Sequence, residues 1–162
     1  MRSQTILAGA CLSLLCATSQ AAPLKLSKAD EAAAFKAAGF SQRQGQWKKC
    51  EDPSLSATPG AISEVLDANG DGLPEAIVTE GGTFCYGHTG AGYSLVSKQP
   101  NGGWKLMSAD TGIATLLATK GKGGWPDIEV GGPGFCFPVL RWNGKSYAAH
   151  RQQYEGKPCR RQ

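Results

Sequence analysis

The chain is 162 residues long with a formal net charge of +4, 41% hydrophobic and 19% charged residues, 22 glycines and 9 prolines. That composition excludes a polytopic membrane protein, a coiled coil and a wholly disordered chain, and the length suits one domain of the usual ~100–200 residues. Because Gly and Pro weaken helix interiors and serve turns, short strands joined by tight turns are expected.

Residues 1–21 read as an export signal. Met1-Arg2 is a short positive start, Ile6 to Ala17 is apolar, and Ser19-Gln20-Ala21 places small residues before a cut after Ala21. The apolar run falls short of the ~20 residues that span a bilayer, so no transmembrane segment remains after cleavage. Leu15 before Cys16, and the lack of an apolar stretch before Cys11, disfavour lipidation. The expected product, residues 22–162, is periplasmic or secreted, and nucleic acid is not its partner.

The first mature element reads as a helix. Ser27 and Asp30 form a capping box, Ala29 to Ala38 is Ala-rich with Phe35 as its large apolar anchor, and Gly39 supplies the stop. Ser41 to Gly60 is polar, holds Pro53 and Pro59, and reads as a loop region pinned by Cys50. Beyond it, Gly, Pro or Asn-Gly recurs every ten residues or so, the spacing of an all-β domain.

This β part repeats itself. Ala61-Ile62, Leu73-Pro74-Glu75-Ala76-Ile77-Val78, Gly81-Gly82 and Phe84-Cys85-Tyr86 align with Gly112-Ile113, Trp125-Pro126-Asp127-Ile128-Glu129-Val130, Gly131-Gly132 and Phe135-Cys136-Phe137. The copies run over about 61–111 and 112–155, with Asn101-Gly102-Gly103-Trp104 and Asn143-Gly144 as later hairpin signals. The expected fold is mainly β with one short N-terminal helix, the two β-meander repeats packing as a propeller-blade-like or sandwich-like unit.

Cys11 and Cys16 fall in the signal, leaving Cys50, Cys85, Cys136 and Cys159. An even count in an exported chain reads as two disulfides, and no two cysteines are spaced as zinc ligands. Pairing Cys50 with Cys85 and Cys136 with Cys159 ties each repeat to its flanking segment and is favoured over Cys85–Cys136 with Cys50–Cys159. From Arg141 onward, Arg141, Lys145, Arg151, Lys157, Arg160 and Arg161 face only Glu155. This basic stretch reads as a solvated, partly frayed tail, or as a contact for an anionic envelope surface or acidic protein.

Asp67-Ala68-Asn69-Gly70-Asp71-Gly72-Leu73-Pro74-Glu75 places side-chain oxygens at alternate positions around a sharp turn. Such a set wraps a hard cation: Asp67, Asn69, Asp71 and Glu75 through side chains and Leu73 through its carbonyl, with Ca2+ the best fit as a structural ion. It is not an EF-hand, because Val78 stands where a bidentate Glu belongs and a strand follows. Asp67 to Glu75 running into Ala76-Ile77-Val78 resembles the loop and strand of FG-GAP/VCBS-type repeats of secreted and surface proteins. That resemblance implies a calcium-supported β-meander. The second copy has Thr119, Gly121 and Gly123 in place of Asp67, Asn69 and Asp71, and only Asp127 matches Glu75, so it does not bind by this scheme. The alternative for the first loop is a turn whose side chains bond their own backbone.

No linear catalytic motif is present. His88 and His150 are the two near-neutral bases, and Glu80 with Asp127 is a possible carboxylate pair. Phe84, Tyr86, Phe135, Phe137 and Trp142 read as core between the meanders or as a surface platform. The expected function is binding, or envelope maintenance, through an unidentified protein or glycan of the cell envelope. The alternatives are a hydrolase of envelope polymers, which needs a pocket with two carboxylates or a His-acid pair, and an inhibitor of an extracellular enzyme, which needs a rigid loop at Gly131 to Phe137.

Overall fold

The computed structural model describes residues 24–160. The expected signal peptide, its cleavage point, Cys11, Cys16 and Arg161 lie outside the described residues.

Helix α1 spans Lys28–Ala37 and is stopped at both ends by its own sequence. The Ser27 side chain accepts from the Asp30 amide at 3.1 Å, satisfying one of the first-turn donors. At the other end Gly39 takes φ +88°, Phe40 N donates to Phe35 O, and Gly39 N donates to Lys36 O, which together form a Schellman motif. Phe35 is buried, its ring stacked 4.8 Å from Trp47 and edge-on to Phe40 at 5.7 Å. Asp30, half-buried one turn before Ala34, accepts from Trp104 Nε1 at 3.1 Å and pairs with Lys98 at 2.8 Å, pinning the helix to the sheet beneath.

Trp47 belongs to a hairpin that the sequence did not announce. Strands β1 (Ser41–Arg43) and β2 (Gln46–Lys48) pair antiparallel where a polar loop was expected. The Gln44-Gly45 turn supplies positive φ at both residues, the requirement of a tight hairpin turn.

The rest is two antiparallel meanders. In the first, β3 (Thr58–Leu66), β4 (Glu75–Gly81), β5 (Ala91–Lys98) and β6 (Trp104–Thr111) pair in chain order. The second runs β7 (Ile113–Lys120), β8 (Pro126–Gly131), β9 (Phe137–Trp142), β10 (Tyr147–Tyr154) and β11 (Lys157–Pro158), again in chain order. The protein is thus mainly β and sandwich-like, with a short N-terminal helix. A second short helix, α2 (Thr83–Tyr86), occupies the Phe84-Cys85-Tyr86 segment and was not expected.

Burial is layered. On one face of the first meander, Ala76, Val78 and Val96 pack with Phe35, Ala38 and Phe40. On the other, Ile77, Tyr93 and Leu95 pack with Trp125, Ile128, Val130 and Trp142 of the second meander. Strands β4 and β5 are therefore covered on both faces, which is why Ala76-Ile77-Val78 and Leu95-Val96 are continuous apolar runs instead of alternating ones.

Cys50 is bonded to Cys85, with Cα atoms 6.2 Å apart, and Cys136 to Cys159 at 5.6 Å, the pairing favoured from sequence. The basic stretch after Arg141 is not a frayed tail. It supplies the end of β9, all of β10 and β11, and two of its arginines are structural, as described below.

Candidate functional site

Among the expected ion ligands, Asp67, Asn69 and Asp71 share one tight turn. Asp67 Oδ1 accepts from the Gly70 and Asp71 amides at 2.8 and 3.1 Å, and Oδ2 accepts from Gly72 at 3.0 Å. Asp71 Oδ1 accepts from the Leu73 amide at 2.8 Å, and its Oδ2 from Asn69 Nδ2 at 2.9 Å. Gly70 and Gly72 adopt φ +81° and +82°, which lets successive amides point inward at these carboxylates.

Glu75 stands apart from the other ligands because it is fully buried. Oε2 accepts from the Ala68 amide at 2.7 Å and Oε1 from Ser97 Oγ at 2.8 Å. Burial pushes its carboxyl up from the ordinary 4.5, those two hydrogen bonds hold it back, and the nearby charges of Asp71 and Asp67 raise it further. No three His, Cys, Asp or Glu side chains form a ready-made metal cage among the described residues. The donor set is nevertheless all hard oxygen, and Glu75 has no cationic side chain against it among the described residues. The residues therefore suit a hard cation in chemistry, while in this arrangement they bond their own loop.

The second meander treats its corresponding acid differently. Asp127, also fully buried, accepts from Arg141 Nε on Oδ1 and from Arg141 Nη2 and Arg151 Nη1 on Oδ2, each at 2.8 Å, and from Thr119 Oγ1 at 2.6 Å. Burial alone would raise its carboxyl, but these donors outweigh burial and hold it well below the usual carboxylate range. Arg141 sits on β9 where Ser97 sits on β5: each faces the acid across the strand pair. A serine thus faces the first acid and a guanidinium the second.

At the opposite ends of β4 and β8 lie the two stapled loops. Gly81-Gly82 leads into α2, where Phe84 is 70% exposed and its neighbour Cys85 is tied to Cys50. Gly131-Gly132 leads to Phe135, 77% exposed, followed by Cys136, which is buried, holds φ +73° and is tied to Cys159. A left-handed non-glycine residue costs of order 1–3 kcal/mol and persists only where its surroundings enforce it. The loops are neighbours: a methyl group on Gly132 would lie 3.4 Å from Thr89 Oγ1. Tyr154 extends the second loop's aromatic surface, with Phe135 and Phe137 at 6.2 and 6.1 Å. The expected aromatic set therefore divides. Trp142 is core between the sheets; Tyr86 is half-buried with its ring against Gly92 and its hydroxyl 2.8 Å from Glu80; Phe84 and Phe135 face solvent.

The candidate acid-base residues are in different surroundings. Glu80 accepts from the Lys49 and Cys50 amides at 2.9 and 3.1 Å and from Tyr86, while Asp127 is held by its two arginines, so the pair forms no common site. Glu80 and Asp52 do line one cavity. Its volume of about 80 Å³ is well below the ~300–1,000 Å³ typical of ligand clefts. His88 is exposed in a single helical turn, Gly87–Thr89, and His150 is exposed on β10. Sequence reasoning missed Arg141, Arg151 and Thr119 as partners of Asp127, because nothing local in the chain announces contacts across strands. Comparisons of the chain with protein-family models, with curated proteins and with solved structures found no match.

Proposed function

We propose that this protein is an exported binding protein of the cell envelope, built from two related β-meander repeats, that grips a protein partner through its two stapled aromatic loops. The observation that carries this reading is the matched pair Phe84-Cys85 and Phe135-Cys136. Each places a solvent-facing phenyl ring next to a disulfide-anchored residue. Exposing such rings is unfavourable for a free chain, and holding them rigid lowers the entropy lost on binding. Export is supported by the leader-like N-terminus and by two disulfides that use all four remaining cysteines. The Asp67–Glu75 loop is proposed to hold Ca2+ as a structural ion in the manner of FG-GAP/VCBS-type repeats, supported by the uncompensated Glu75 carboxylate.

A second reading, an inhibitor of an extracellular enzyme, is favoured by the Gly131–Phe137 loop itself. Phe135 is offered on a backbone fixed by Cys136–Cys159, as an obstructing loop must be. A hydrolase is disfavoured because Glu80 and Asp127 are each bound by their own donors.

The test is capture of envelope proteins on immobilised protein, comparing wild type with Phe84→Ser, Phe135→Ser and the double variant. Removing a hot-spot aromatic from an interface costs about 2 kcal/mol or more, so if Phe84 and Phe135 are the anchors each single change should weaken capture of a specific partner about 30-fold while leaving the melting temperature in place. Equal capture by the double variant would refute the loops as the binding surface. Loss of an extracellular hydrolase's activity on addition of wild type, but not of Phe135→Ser, would select the inhibitor reading.

A further inference from the structure

The end of the second meander remote from its stapled loop carries a groove of about 490 Å³ between the β7–β8 turn and the β9–β10 hairpin. Lys120, Lys122, Arg141 and His150 are its titratable wall residues, and no carboxylate lines it among the described residues. Neither lysine has an ion-pair partner among the described residues. The acid beneath does not neutralise the wall. Asp127 is shared between Arg141 and Arg151, and Glu129 lies on the Arg151 side, bonded to the Gln153 that accepts from Arg151, so Arg141, Lys120 and Lys122 are the charged groups that face the groove.

The groove is built, not incidental. Gly121 runs so close to the Arg141–Trp142 backbone that a methyl group there would collide with Trp142 O and lie 3.0 Å from Arg141 Cγ. Its amide donates to Trp125 O at 2.7 Å, fixing the turn that carries both lysines. Arg141 spends Nε and Nη2 on Asp127, which orients the guanidinium and leaves Nη1 without a protein acceptor among the described residues. One donor is thus oriented in advance of any ligand.

The positive groups are distributed over a turn and two strands instead of converging on one point, and the groove is open to solvent. A single small anion would meet only part of them, whereas a chain with repeated negative groups meets all. Ala148 and Ala149, both exposed on β10, provide an uncharged wall beside them, against which the apolar faces of sugar rings can lie. From this arrangement we propose that the groove binds an anionic polysaccharide, recognising its carboxylate or sulfate groups through Lys120, Lys122 and Arg141. This site is separate from the stapled loops and stands or falls independently of them.

The test is equilibrium binding of the purified protein to heparin oligosaccharides and polygalacturonate, with neutral dextran, polyphosphate and phosphatidylglycerol vesicles as comparison probes. Both acidic glycans should bind and dextran should not, with affinity falling as salt rises from 50 to 200 mM. Lys120→Ala and Lys122→Ala should each weaken glycan binding up to about fivefold, with unchanged melting. Reversing two remote lysines, Lys25→Glu with Lys28→Glu, should weaken it far less than Lys120→Glu with Lys122→Glu. Absence of glycan binding, or equal losses from the two reversals, would overturn the site. Tighter binding to polyphosphate or to vesicles than to either glycan would overturn the ligand class.

Discussion

Asp127→Asn tests a fully buried carboxylate that accepts four side-chain hydrogen bonds. The substitution keeps the shape of the side chain but removes the charge that three guanidinium hydrogen bonds and one hydroxyl address. Breaking a buried ion pair by removing one partner costs about 3–5 kcal/mol, since the other charge is left uncompensated. Here the Arg141 and Arg151 side chains keep 33% and 27% of their exposure and can be hydrated again, which places the loss near the lower end, about 3 kcal/mol. At roughly 4 °C per kcal/mol for a domain of this size, the melting temperature should fall by about 12 °C. The pH dependence has a definite sign. Because the native carboxyl is held below its ordinary 3.8, its contribution is fully present above that value and disappears as pH falls towards the native value. The gap between wild type and Asp127→Asn in thermal or urea unfolding should therefore be constant from pH 7 to about 5 and close under acid. A gap under about 1 kcal/mol at pH 7, the size of an exposed pair, would refute the assignment of Asp127 as the electrostatic anchor of the second sheet.

Replacing Cys50 with Cys85, or Cys136 with Cys159, by serine should cost about 3.8 and about 3.4 kcal/mol in denaturant unfolding, from closed loops of 35 and 23 residues in the chain-entropy treatment. Gly121→Ala, at a position with an ordinary φ of −92°, should cost about 1–3 kcal/mol purely through overpacking against Trp142, read by the same unfolding curves. At ~1 mM calcium, wild type should gain on the order of 0.4–1.4 kcal/mol over the chelator condition; Asp71→Ala should lose that gain and Asp127→Asn should keep it. Identical wild-type melts with calcium and with chelator would reduce Asp67–Glu75 to a hydrogen-bonded turn.

Local chemistry was legible in the chain and cross-strand chemistry was not. Ser27, Asp30 and Gly39 announce helix α1 because a cap is formed by residues three or four apart. Asn101-Gly102 and Asn143-Gly144 announce their hairpins for the same reason. The β1–β2 hairpin went unread because Gln44-Gly45 is a weaker turn signal and its flanking strands are only 3 residues each. Its order comes from Trp47 stacking on Phe35, a tertiary contact. The tail reading of the basic residues from Arg141 onward fails for a related reason, since these residues form the end of β9 and all of β10 and β11. A run of positive charge looks solvated until Asp127 is known to lie beneath it, and that acid is 14 residues from Arg141 and 24 from Arg151. The exposure of Phe84 and Phe135 was also beyond sequence reading, since a phenylalanine beside a cysteine has the same pattern in a core as at a surface.

Both meanders bury a carboxylate at the start of their second strand, and burial of an ion is costly unless its charge is answered. The second meander answers it from within: β9 and β10 deliver two guanidiniums, and the arrangement needs nothing from solution. The first answers Glu75 with one amide and one hydroxyl, both neutral, and sets two further carboxylates close enough to raise it. Hydrogen bonds from neutral donors satisfy lone pairs without cancelling charge. This difference between two otherwise parallel arrangements is the physical reason for proposing a cation at Asp67–Glu75 and none at Thr119–Asp127. The same acid also shapes the groove: by holding Arg141 through Nε and Nη2, Asp127 sets that guanidinium at the wall where Lys120 and Lys122 stand, and no carboxylate lines that wall among the described residues.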